Sequence, residues 1–398
     1  MKKIISFYLI MVCLFSCVYG FFEGTVQEEQ EYVIETTSSL DVPKLNARAA
    51  ILYDATYGRI LYEKNSKSKR ANASTTKMLT AIVAYEEGNL DDMVTVSQKS
   101  ANTGGSSISL RKGDKLTLND LIKGLLVHSG NDAAVAIAEH ISGSVEEFAK
   151  LMNSKAEEIG ARDTHFVTPH GLDASEHYST AHDLMLIASN LLEIPYLADI
   201  VSKTSVELSI NNQSRIIGTT NEMLSIYNGA DGVKTGFTGD AGRCIVTSAT
   251  QNNRKLISVV LGCDTKKDRT MDSVKLLNYG YNAFKEMDLK RFVKESVCIT
   301  IEKSEGEFYK LTKDINLKYP LKEDEISKIR VKYNAQSNLV APVEKGKVVA
   351  TTEIFLDSVK IGEIIYSLPE KIERKDWKTY FKEIIDESFS NKSFIELY

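Results

Sequence analysis

This 398-residue chain reads as an α/β protein, an antiparallel β-sheet flanked by helices, followed by a small C-terminal all-β domain. Three observations predict that. Helical spacing of apolar residues runs through 117–141, 145–160 and 179–192. Three apolar strand-like runs joined by glycine and asparagine turns fill 229–263. Past about residue 290 the pattern shifts to alternating strand signals with Lys and Glu outward, and helical runs vanish until the end. Helices early and antiparallel strands late make the segregated arrangement.

The N-terminus stands apart. Lys2 and Lys3 precede IISFYLIMVCLFSCV, an apolar run short for a membrane span. It resembles a secretory signal over 1–20, cleaved near Ser16–Gly20; an uncleaved anchor is the other reading. An acidic, polar spacer follows over 21–44. Of five cysteines, Cys13 and Cys17 fall in the signal. The remaining three, Cys244, Cys263 and Cys298, are an odd count that argues against a disulfide framework. Cys244 and Cys263 sit in apolar runs and read as small buried hydrophobes.

AAILYDATYGRILYEKN (49–65) alternates on both sides of a Tyr-Gly turn, the mark of a β-hairpin. NASTTKMLTAIVAY (72–85) then opens an apolar helix that ends near Gly88. VTVS (94–97) and SSISL (106–110) read as short extended pieces in a loop region. Residues 117–141 form two helical segments broken at Ser129-Gly130, the first capped by Thr117 with Asp120. The helix over 145–160 stops at a glycine, and the one over 179–192 is capped by Ser179 or Thr180. Gln251-Asn252-Asn253 makes a hairpin tip between two of the late strands. Residues 264–284 are helical again. In DWKTYFKEIIDESF (376–389), Trp377, Phe381, Ile384, Ile385 and Phe389 fall on one side. That helix either lies on a membrane surface or packs on the β domain.

Composition excludes some classes. The chain is 43% apolar and 26% charged, with a net charge of −5 and scattered basic residues. A nucleic-acid partner needs a clustered basic face, so none is expected. All six histidines lie between 128 and 182, yet no HExxH or other metal spacing is present, and no metal or cofactor is expected.

Ser74 and Lys77 raise the chemical question. A serine hydroxyl needs a base within hydrogen-bond reach. Residues three apart on a helix share a face, so Lys77 can lay its amine beside Ser74. Burial in the apolar helix is what lowers a lysine pKa into the range of a base. Free N–H groups at the helix start suit a developing oxyanion. Ser-x-x-Lys alone is common, so its partners decide. Ser129-Gly130-Asn131 sits at the break between two helices, where side chains face a cleft. Lys234-Thr235-Gly236 sits at a strand start after a glycine turn. Gly236 leaves room for a ligand backbone to lie along that strand.

These three motifs, in this order, resemble the active site of penicillin-binding proteins and serine β-lactamases. The chain is most similar to the low-molecular-mass penicillin-binding proteins, the D-alanyl-D-alanine carboxypeptidases. HGLDASEHYSTAHDLMLIA (170–188), NGADGVKTGFTGDAGRCIVTSAT (228–250) and LVAPVEKGKVV (339–349) resemble family blocks, over about residues 45–370. Asn72 departs from the family's usual proline before Ala-Ser.

The resemblance implies a β-lactamase/transpeptidase-like fold and a role for each residue. Ser74 attacks the penultimate carbonyl, Lys77 takes its proton, and Ser129 relays that proton to the leaving D-alanine and helps order Lys77. Asn131 holds the substrate amide. Lys234 and Thr235 bind the terminal carboxylate, and the backbone N–H groups of Ser74 and Phe237, the residue after Gly236, hold the oxyanion. Arg269 is either a second cation there or a surface arginine. The implied division is a signal (1–20), a spacer (21–44), a catalytic domain (45–288), a β-rich domain (289–370) and an amphipathic helix (371–398). The implied partners are peptidoglycan stem peptides, with β-lactams as inhibitors and a membrane surface under the last helix. The implied location is extracytoplasmic, after export. Rival readings use the same site as a DD-transpeptidase, endopeptidase or β-lactamase, or keep it as a non-catalytic penicillin-binding scaffold.

Overall fold

A computed structural model describes residues 41–306 and 308–390. The segment read as a signal, spacer residues up to 40, and Cys13 and Cys17 lie outside them. So does the side chain of Phe389.

The expected hairpin forms from β1 (Ala49–Asp54) and β2 (Arg59–Lys64). The late runs become β7 (Ala230–Thr238), β8 (Gly242–Gln251) and β9 (Arg254–Cys263). Together they make one antiparallel sheet in the order β2-β1-β9-β8-β7. The first hairpin therefore joins the sheet beside its last strand, with Ala49 opposite Leu261. β7 is the end strand, and among the described residues its outer edge carries no sheet partner.

One face of the sheet holds the helical layer. At its centre is α1 (Lys77–Glu87), buried from Lys77 through Ala84. A helix apolar on all sides belongs in a core. Around it lie α2 (Leu118–Val127), α3 (Asn131–Ser142), α4 (Val145–Ile159), α5 (Ala181–Glu193) and α6 (Pro195–Val201). The caps follow the sequence: Thr117, Ser144 and Thr180 side chains each accept a backbone N–H three residues on, and Gly160 ends α4 in the left-handed region. The other face is covered by α7 (Lys266–Ala283). A buried hydroxyl chain, Ser258 to Ser273 (2.8 Å) to Thr247 (2.9 Å), ties it to β9 and β8.

Two local differences from expectation have physical reasons. Residues 106–110 form no strand, because the N–H groups of Ile108 and Leu110 go to the Asp132 carboxylate (3.1 and 3.0 Å). Outside the sheet, β3 (Met93–Thr95) pairs with β4 (Lys115–Thr117), and a further hairpin of β5 (Ser205–Ile210) with β6 (Gln213–Gly218) turns on Asn211-Asn212, both at positive φ. That two-residue Asn pair is a hairpin signal the reading passed over.

After α7 the chain is strand-rich. Ile329–Ala335, Val348–Leu356 and Val359–Ser367 form a three-stranded sheet over a small core with Val349, Ile364 and Tyr366. At the junction with the larger sheet, the Arg59 guanidinium lies between the Phe284 and Tyr319 rings, 5.0 and 5.3 Å from their centroids. It also bonds the Pro320 carbonyl and Glu325. The last element is α8 (Trp377–Ser390), and Trp377, Phe381 and Ile384 all stand exposed on it. Among the described residues no single helix is long and apolar enough to cross a membrane. Cys244 and Cys263 are buried and Cys298 is exposed, all three as free thiols.

Candidate active site

Ser74 lies in a single 3-10 turn, Ala73–Thr76, that feeds into α1. Asn72 organises this turn. Its side chain donates to Thr75 and Thr76 hydroxyls (3.2 and 2.9 Å), and its carbonyl accepts the Thr75 hydroxyl (2.6 Å). Ala73, just before the serine, is held at φ 48. Ser129 sits at φ 66 in the break between α2 and α3. Non-glycine residues rarely take this conformation, and two of them at one cleft mark strain kept by the surrounding packing.

Lys77 is fully buried on the face below Ser74. Its Nζ is 2.8 Å from Ser74 Oγ, 2.6 Å from Asn131 Oδ1 and 2.9 Å from the His170 carbonyl oxygen. Burial, and then the charge of nearby Lys234, hold the amine well below the ordinary lysine range, against the pull of Asp132. This matches what a base needs. A neutral amine has two N–H donors and one lone pair. Two of its neighbours are carbonyl-type oxygens that only accept. The third is the serine hydroxyl, which can give its proton to the lone pair.

Asn131 is pinned at both ends, since its Nδ2 donates to the Gly104 carbonyl (2.6 Å). Its neighbour Asp132, fully buried, accepts from the N–H groups of Ile108, Leu110 and Ala133 and from the Ser107 hydroxyl (2.5 Å). That carboxylate folds the 106–110 loop against the cleft. Ser129 stands two residues before Asn131, but Lys77 is ordered by Asn131 and the His170 carbonyl, with no Ser129 bond among the described residues.

β7 brings the third motif. Lys234 is 1% exposed, and its Nζ donates to the Thr235 carbonyl (3.1 Å). Burial first, then Arg269, lowers its pKa to about 7. Thr235 Oγ1 is 2.9 Å from Thr220 Oγ1. Gly236 faces the serine turn, where a Cβ would come within 3.0 Å of Ser74 N and Ala73 Cβ. The glycine is thus required first by the close approach of β7 to the Ser74 turn. Phe237 follows with its side chain 53% exposed. Arg269 is buried and pairs with Glu222 rather than opening to the cleft.

No side-chain motif in the sequence announces the part played by the 170–177 loop. Gly171, at φ +81, lies where a Cβ would strike the Ala73 carbonyl at 2.0 Å. His170 is half-buried, with its pKa lowered to about 3 by desolvation and then by Lys77. The part of it that meets Lys77 is a backbone oxygen, which no side-chain pattern announces. The other histidines serve the fold: His177 Nε2 is 2.9 Å from Thr76 Oγ1, and His128 Nδ1 is 2.9 Å from the Gly218 carbonyl. Among the described residues no group of three His, Cys, Asp or Glu is arranged to hold a metal.

Comparison with known proteins adds a family. The model described as D-alanyl-D-alanine carboxypeptidase matches residues 35–265, and the one described as penicillin-binding protein 5, C-terminal domain, matches 290–374. The chain is 33% identical over 343 residues to the D-alanyl-D-alanine carboxypeptidase DacF of Bacillus subtilis, covering 84% of this chain and 88% of that one. It is 34% identical over 362 residues to DacC of Escherichia coli, covering 84% and 86%. Its fold is similar to penicillin binding protein 5 of Haemophilus influenzae, with a TM-score of 0.67 and 30% identity over 84% of this chain and 100% of that one.

Proposed function

The chain belongs to the D-alanyl-D-alanine carboxypeptidase family, and from that premise we propose the residues through which it works. It is a serine D-Ala-D-Ala carboxypeptidase, a penicillin-binding hydrolase that takes the terminal D-alanine from peptidoglycan stem peptides. The transpeptidase, endopeptidase, β-lactamase and scaffold readings are not favoured.

One observation carries the assignment of roles: the Lys77 amine has two acceptors for its two N–H groups and the Ser74 hydroxyl for its lone pair. Ser74 Oγ attacks the penultimate carbonyl carbon as its proton passes to Lys77. The carbonyl oxygen becomes an oxyanion between the N–H groups of Ser74 and Phe237. The tetrahedral intermediate collapses to an ester, and the bond to the terminal D-alanine breaks. Ser129 passes a proton to the leaving amine. Water then cleaves the ester and restores Ser74. Lys234 and Thr235 receive the terminal carboxylate, and the substrate lies along the free edge of β7. Since Lys234 is cationic only below about pH 7, KM for a carboxylate substrate should rise as pH climbs past that value.

The division into a catalytic domain over 45–288 and a β-rich domain over 289–370 is part of the same proposal. Peptidoglycan lies outside the cytoplasmic membrane, so the work is extracytoplasmic, and we infer that residues 1–20 direct export. The exposed apolar face of α8 supports a further inference, that it rests on a membrane surface. Trp377 is the only tryptophan and reports this directly. Its fluorescence should shift blue with anionic lipid vesicles, and an unchanged spectrum refutes the docking.

The experiment for the enzyme itself is intact-mass spectrometry with a labelled penicillin, on wild type and Ser74→Ala. Release of D-alanine from diacetyl-Lys-D-Ala-D-Ala is read in parallel. An adduct lost in the variant, with D-alanine released by wild type, is expected. Wild-type labelling that persists in Ser74→Ala would assign the nucleophile elsewhere.

A further inference from the structure

Three cations lie beside β7, and they differ in what they have left to give. Lys234 is buried, spends one N–H on the Thr235 carbonyl, and titrates near neutrality. Arg269, on α7, is buried and paired with Glu222. The third is Arg243, the cross-strand partner of Phe237 in the β7–β8 register. Its guanidinium carbon lies 3.6 Å from the centroid of the Phe237 ring. Among the described residues it makes no ion pair.

The strand repeat places this cation on the face of the sheet that carries the Thr235 side chain. Side chains two apart share a face, so Thr235 and Phe237 stand together, and Arg243 stands with them. Thr235 is the residue assigned to the terminal carboxylate. A ring stacked beneath a guanidinium fixes its plane and leaves the N–H groups along its edge free. A guanidinium stays charged at every working pH and fits a carboxylate through two parallel bonds.

We propose that Arg243, held flat by Phe237, is a specificity residue that grips the C-terminal carboxylate of the stem peptide beside Thr235. The inference rests on the carboxypeptidase reading above. It assigns Phe237 two tasks: its backbone N–H serves the oxyanion, and its ring seats the cation that selects a free C-terminus.

The test uses the purified full chain with two substrates. One is diacetyl-Lys-D-Ala-D-Ala; the other is an N-acyl-D-alanyl thioester whose leaving thiol carries no carboxylate. The readout is the ratio of kcat/KM for the first to kcat/KM for the second. In R243Q that ratio should fall about tenfold or more, chiefly through KM. R243K, which keeps the charge and loses the fork, should fall about threefold. If R243Q does not fold, R243K alone decides the matter. An unchanged ratio in the folded variant, or an equal loss on both substrates, overturns the proposal and leaves Arg243 as packing for Phe237. Wild-type protein that releases no D-alanine overturns the carboxypeptidase reading itself, and this inference with it.

Discussion

The catalytic region and the C-terminal β module treat charge in opposite ways. The first buries it: Lys77, Asp132, Lys234, Arg254 and Arg269 are all nearly inaccessible. The second keeps charge outside, and its buried polar residues are the uncharged Ser304 and Thr352. Burying ions costs stability unless partners repay it. Some burial here is structural, as where Arg254 Nε meets Asp54 at 2.7 Å. At Lys77 it fits the proposed chemistry, because a lysine in water stays protonated and cannot act as a base. The lesson is that tuned pKa values, more than any fold type, separate the working part of this chain from its scaffold.

That contrast can be broken or sharpened experimentally. The largest effect should come from Lys77→Met. An apolar side chain of similar length suits the buried site, so the melting temperature should hold or rise. Penicillin acylation should fall ~10²–10⁴-fold, as expected for loss of a general base. A variant that unfolds would show Lys77 to be structural and blur the contrast. Next is Ile354→Ala, in the core of the β module. It should cost about 2–5 kcal/mol of module stability while kcat on a soluble peptide stays near wild type. A parallel loss of kcat would mean that the Arg59 junction couples the two regions.

The response to acid tests the same contrast without a substitution. Burial, with smaller contributions from neighbours, lowers His177 to about 4 from an ordinary 6.5, and lowers His170 to about 3. Between pH 6.5 and those values the unfolded chain binds protons that the native one refuses. Stability should therefore drop as pH falls through that window, by up to about 1.4 kcal/mol per pH unit for each histidine. Every histidine lies in the catalytic region. Calorimetry should find its transition acid-sensitive there and the transition of the β module much less so.

Much of this was legible in the sequence, for a definable reason. Helix caps, the 49–65 hairpin and the three late strands follow from periodicity and turn chemistry, which act over a few residues. Ser74, Lys77, Ser129, Asn131 and the Lys234-Thr235-Gly236 run were legible as side-chain types in motifs. What escaped was made by backbone or by distance. The His170 carbonyl on Lys77 has no side-chain signature. The Asp132 carboxylate that folds residues 106–110 acts across more than twenty positions. Arg269 looked able to reach the cleft until Glu222, 47 positions away, was found holding it. Arg243 carries no local signal, because its place beside Phe237 depends on strand register.

The sheet order has a consequence for the life of the chain before it is folded. β1 must pair with β9, more than two hundred residues further along. At a synthesis rate of about 5–20 residues per second, the first hairpin waits on the order of 10–40 s for its partner. Through that interval its inner edge is an open template for other strands. Such long-range pairing also makes for slow folding. The sheet therefore cannot close until residue 263 has emerged, and an unclosed chain is one that can still be threaded through a narrow pore.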